Sequence, residues 1–82
     1  MTNNEKAIII CQRVKHCYTD VVTTWSEARG DESANIDVYC LANNIQYGLF
    51  DDFIQKLVIE YDYHGSYCIW NYEQTKQLFE VK

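Results

Sequence analysis

The residues of this chain that could do chemistry are few: two histidines, His16 and His64, and four cysteines, Cys11, Cys17, Cys40 and Cys68. Histidine is the usual general base. His16 stands beside Lys15 on what periodicity makes the wet side of a helix, the setting of a solvated surface residue. His64 precedes Gly65, with Asp62 placed to orient it and Cys68 further on as a nucleophile. Cys68, however, lies in the apolar run Tyr67 to Trp70, where burial raises a thiol pKa and makes it inert. A cysteine hydrolase also needs an oxyanion hole in a formed cleft. The acidic doublets Asp31-Glu32 and Asp51-Asp52 are more simply helix-dipole compensation and solubility than metal or acid–base machinery. No C-x-x-C pair is present, so neither a zinc ribbon nor a thioredoxin motif is written here. A metal site would have to bring His16 or Cys17 together with His64 and Cys68, and the simpler role for each cysteine is a small buried hydrophobe. The glycines, Gly30, Gly48 and Gly65, are too scattered for a phosphate-cradling loop. The expectation is a protein that is not an enzyme, with no catalytic residue, no metal ligand and no cofactor.

Those residues must be positioned by a small fold. Eighty-two residues allow one domain, 1–82. A chain of this size buries roughly 60–65% of its unfolded surface, so its core alone is thin. Two Trp, seven Tyr and three Phe compensate with large burial per residue. Seven basic residues against twelve acidic ones give a net charge of −5. That is the wrong sign for the counterion release on which general nucleic-acid binding depends, so direct binding to DNA or RNA is not expected. The opening Met1 to Lys6 lacks a basic leader region, and the longest apolar run, Ala7 to Cys11, is far below the ~20 residues of a membrane span. A cytoplasmic location, no membrane insertion and reduced thiols are expected.

The first element announces itself through Thr2 and Glu5, the spacing of a capping box. Ala7, Cys11, Val14, Tyr18, Val21, Trp25 and Ala28 follow at alternating steps of four and three, the period of a heptad seam. The spacing predicts one helix from about Asn3 to Arg29, stopped by Gly30 and roughly 40 Å long at 1.5 Å per residue. The β-branched run Val21 to Thr24 weakens it and admits a kink or an early end near Thr23. Ala34, Val38, Leu41 and Ala42 suit a short helix, capped by Asp31 or Ser33 and stopped at Asn43-Asn44; a strand through Ile36, Val38 and Cys40 is the alternative. After a turn at Gln46 to Gly48, Phe50, Phe53, Ile54, Leu57, Val58 and Tyr61 make an amphipathic helix, with Asp51 and Asp52 in its first turn. Aromatics alternating around His64-Gly65 suit a β-hairpin over residues 59–70, with a loop leading to a helix as the rival. Asn71 and Gln74 cap a last helix from Tyr72 to about Glu80. The fold class expected is mainly α, a small helical domain with a long N-terminal amphipathic helix; α+β is the alternative.

With chemistry set aside, recognition remains. Tyr and Trp supply rigid contact area with a polar tip and are enriched in interface hot spots. The expected partner-binding residues are Tyr18, Val21 and Trp25 on the first-helix seam, and Tyr63, Tyr67 and Trp70 in the aromatic segment. A seam too long for its own globule also suggests a homo-oligomer through the first helix. Glu60, Asp62 and Glu73 flank the aromatic segment and favour a basic partner.

The opening Met1-Thr2-Asn3-Asn4-Glu5-Lys6 running into Ile8-Ile9-Ile10-Cys11-Gln12, with the length of the chain and the missing export signal, resembles the cytoplasmic antiholins of T-even phages, products of the third rapid-lysis locus. The resemblance extends over the whole chain and rests on no diagnostic motif, so it assigns no binding residues. It implies lysis inhibition in the host cytoplasm: the protein would bind the cytosolic segment of a holin, oppose its assembly and delay lysis. The other function weighed is an acidic anti-restriction or anti-CRISPR protein that blocks a host nuclease by occupying its nucleic-acid site. Dispersed carboxylates mixed with cations weaken that case.

Overall fold

The capping box forms as written. In the computed structural model, which describes residues 1–27 and 34–80, the Glu5 amide donates to Thr2 Oγ1 at 3.1 Å and the Thr2 amide to Glu5 Oε1 at 2.9 Å. Helix α1 runs from Asn3 to Cys17 and ends at Tyr18, whose N–H still reaches the Val14 carbonyl. It does not continue to Arg29. The β-branched run that was expected to weaken the helix instead forms strand β1, Val21–Glu27. Side chains branched at Cβ lose rotamer freedom in a helix and pack well on a pleated surface. The stop at Arg29-Gly30 and the caps at Asp31 or Ser33 lie outside the described residues.

The second element is the strand that stood as the alternative. β2, Ala34–Cys40, alternates with period two: Ala34, Ile36, Val38 and Cys40 are buried, whereas Asn35, Asp37 and Tyr39 face the other way. The four-residue spacing of Ala34, Val38 and Ala42 fits that alternation as readily as a helix, which is why the two readings compete over so short a stretch. β1 pairs antiparallel with β2 from Val21↔Cys40 to Glu27↔Ala34.

Helix α2, Tyr47–Glu60, buries Phe50, Ile54 and Leu57 as its periodicity requires. It starts earlier than expected, so Asp51 and Asp52 fall beyond its first turn. Its end replaces the expected hairpin. Asp62 takes a left-handed conformation (φ 53°), with its N–H on the Ile59 carbonyl and the Tyr63 N–H on Val58. That pair of bonds is a Schellman cap, and Tyr63 is the apolar residue that follows it into the core. The chain then enters β3, Ser66–Trp70, which lies parallel to β2 from Asn35↔Ser66 to Tyr39↔Trp70. Parallel neighbours need a crossover, and α2 supplies it. Helix α3, Tyr72–Glu80, closes the chain on the expected pair: the Gln74 N–H meets Asn71 Oδ1 at 2.9 Å and the Asn71 N–H meets Gln74 Oε1 at 3.0 Å.

The fold is therefore α+β rather than mainly α: the described residues form three helices and a three-stranded mixed sheet of order β1-β2-β3. α1 and α2 pack on the face formed by Val21, Ile36, Val38 and Cys40, and one core joins Ala7, Ile10 and Val14 to Phe50, Ile54 and Leu57. Tyr18 ties the end of α1 to α2, its ring edge-on to Phe50 at 4.6 Å. α3 lies on the opposite face, where Phe79 meets Tyr39 at 5.4 Å. The apolar stripe of α1 thus has its own sheet to cover it, and the overlong seam that suggested a homo-oligomer is not formed.

Candidate functional site

The six residues expected to bind a partner do not form one surface. Val21 and Tyr63 are buried in the core. The Tyr63 hydroxyl lies 2.7 Å from the Ala34 carbonyl and 2.9 Å from that of Ser66, so one proton is shared between the starts of β2 and β3. Tyr18 is half-buried against Phe50 and Phe53. Tyr67 and Trp70 are half-buried on opposite faces of β3, as residues three apart in a strand must be. Tyr67 donates its hydroxyl to Asp51 Oδ1 at 2.8 Å on the α2 side. Trp70 donates its indole N–H to Asp37 at 3.1 Å and stacks on Tyr39 at 5.8 Å. Trp25, half-buried on β1, borders a groove.

The acidic flank is broken up in the same way. Arg13 lies 3.5 Å from Glu60 and donates to the Tyr61 hydroxyl at 2.6 Å. Asp62 meets His64 at 3.1 Å, and both side chains are well exposed, the setting of a solvated surface pair. Cys68 is exposed on the face opposite the α1–α2 core, not buried in an apolar run as expected. Strand alternation turns it away from its neighbours Tyr67 and Ile69. Among the described residues, no three His, Cys, Asp or Glu side chains gather as a metal ion requires.

Trp25 borders a groove of about 490 Å³ between α1 and the outer edge of β1. Thr23 and Trp25 line it from the sheet side; Ile8, Cys11, Gln12, Lys15 and His16 line it along α1. Positions 8, 12, 15 and 16 fall on one helix face because residues four, seven and eight apart recur there. Burial raises the pKa of the Cys11 thiol, and a hydrogen bond from Thr23 partly offsets this, so the thiol is a floor residue rather than a nucleophile. Lys15 Nζ donates to the Val21 carbonyl at 2.6 Å, which fixes a cation at one end of the groove.

The β1 backbone adds a second feature. The Leu41 N–H bonds to the Asp20 carbonyl at 2.8 Å, and the register sets Val21 opposite Cys40. Even-numbered residues of β1 therefore exchange bonds with β2, and the odd-numbered ones turn their N–H and C=O outward. Lys15 occupies the outward carbonyl of Val21. At Thr23 and Trp25 the outward groups meet no further strand among the described residues.

Of the groove residues, the sequence marked only Trp25 as partner-binding. Lys15 and His16 read as an ordinary wet helix face, because nothing local reveals that a strand edge runs beside them. The recurrence of Ile8, Gln12, Lys15 and His16 along one face is the signal that was there to be read.

No known protein family, curated protein or solved structure matches the chain. Among the described residues, no helix is long and apolar enough to cross a membrane.

Proposed function

We propose that this chain is a non-enzymatic regulator that acts by binding another protein. The observation that carries the reading is the groove beside Trp25. It combines a half-buried indole, an apolar floor and hydrogen-bonding groups at its rim, the mixture from which protein-binding hot spots are built. For the partner, the support is the resemblance of residues 1–12 and of the overall length to the cytoplasmic antiholins. On that basis the partner is the cytosolic segment of a holin. Binding that segment removes holin from the population able to assemble, so lysis is delayed by mass action with no chemical step.

The test is co-expression with a holin and timing of lysis, beside a direct binding measurement on the purified holin segment. A dose-dependent delay with saturable binding supports the reading. Unchanged timing with no binding removes the holin as partner.

A further inference from the structure

We infer that the α1–β1 groove takes an extended, carboxylate-bearing segment of the partner protein, which pairs with β1 as a fourth strand. The inference rests on the protein-binding reading above and specifies which kind of segment is taken and where. Two independent features of the structure support it. The first is the edge itself: Thr23 and Trp25 present outward N–H and C=O groups, the template on which a strand can be added. The second is charge. The protein carries a net charge of −5, yet among the described residues no carboxylate lines the groove, and Lys15 together with the imidazole of His16 forms its polar wall.

An extended segment laid along β1 directs alternate side chains toward α1. There they meet Ile8, Cys11 and Trp25 as an apolar floor and Lys15 and His16 at the wall. A segment whose every second residue, the set that faces α1, mixes apolar and acidic side chains satisfies both, whereas a basic residue in that set meets Lys15 as a like charge. Lys15 keeps two of its three N–H groups for such a carboxylate, since only one is used on Val21. The preferred segment is thus acidic, the opposite of the basic partner that the sequence suggested.

The experiment follows the backbone amide resonances of the whole isotope-labelled chain during titration with the heptapeptide Thr-Val-Thr-Glu-Thr-Val-Thr, whose second, fourth and sixth side chains share one face, and separately with its twin carrying Lys in place of Glu. The expected result is that the acidic peptide shifts the Thr23 and Trp25 amides and slows their exchange. The basic twin should bind about five- to tenfold more weakly. His16→Glu, at an exposed position, should narrow that preference. Thr23→Pro should abolish binding of the acidic peptide, because proline removes an outward donor that the β1–β2 ladder does not use. The Pro variant's amide spectrum shows whether the sheet survives; if it does not, Lys15→Glu replaces it as the blocking variant.

Equal binding of both peptides, or shifts confined to other surfaces, overturns the inference. So do concentration-dependent shifts at Thr23 and Trp25 without peptide, which would make the occupant a second copy. A holin segment that binds without moving these two amides removes the groove and leaves the proposed function standing. An acidic peptide that fills the groove while the holin segment fails to bind does the reverse.

Discussion

Tyr63 shows how much of this fold depends on single side chains. Only 5% exposed, it is held at the starts of β2 and β3 through the carbonyls of Ala34 and Ser66. Burial pushes its pKa up to about 12. A phenol that keeps its proton longer folded than unfolded adds stability that is whole below pH ~10 and disappears as pH rises through about 12. Denaturation curves across that window should show a loss of about 2–3 kcal/mol. Tyr67, whose pKa is also raised by burial, acts in the same direction. Tyr63→Phe should flatten the alkaline slope while lowering stability at neutral pH by about 1–3 kcal/mol, because the buried Ala34 carbonyl and the part-buried Ser66 carbonyl lose their donor. Gly65 is tied to the same residue. A Cβ there would overlap the Tyr63 ring and hydroxyl and the Ala34 carbonyl. Gly65→Ala should therefore cost about 1–3 kcal/mol as overpacking, read as a lower midpoint in urea.

At the scale of elements, the N-terminal caps of α1 and α3 were legible and the partners of the elements were not. Thr2 with Glu5 and Asn71 with Gln74 are closed within four residues, so their chemistry is complete in the local sequence. Asn71→Ala should cost about 1 kcal/mol and speed amide exchange in the first turn of α3. The Schellman cap after α2 was not legible, because an aspartate stands where a glycine would have marked it. Asp62→Gly should raise stability by about 1 kcal/mol by relieving the left-handed penalty, with little lost from the exposed contact to His64. Thermal melts of the two proteins would check it. The segment Val21 to Trp25 was misread for a different reason. Its apolar residues continue the helical spacing of α1, so periodicity and propensity disagreed there. Propensity was right because β2 is available to pair with it.

The whole molecule decides which groups face water. Cys17 and Cys68 are exposed, whereas Cys11 and Cys40 are buried and have raised thiol pKa values. A thiol reagent at neutral pH should modify the first two quickly, Cys11 on the groove floor more slowly, and Cys40 only at the rate of opening. Four equally fast thiols would contradict this packing. The sheet also disperses the aromatic segment that looked continuous in sequence. Tyr63 goes to the core, Tyr67 to the α2 side and Trp70 to the α3 side, so local density of Tyr and Trp did not become one surface. The candidate groove arises instead from residues separated in the chain, Lys15 and His16 on α1 and Thr23 and Trp25 on β1.

What the sequence determined alone is what closes over a few residues: the N-terminal caps of α1 and α3 and the buried stripe of α2. These depend on backbone donors and side chains within one or two turns of each other. What only the tertiary structure decided is which strand pairs with which, the face each aromatic takes, and that Lys15 stands beside a strand edge left unpaired among the described residues. Strand pairing is set by contacts across long loops and by competition for a shared core, so the same apolar spacing serves helix or strand until a neighbour is present.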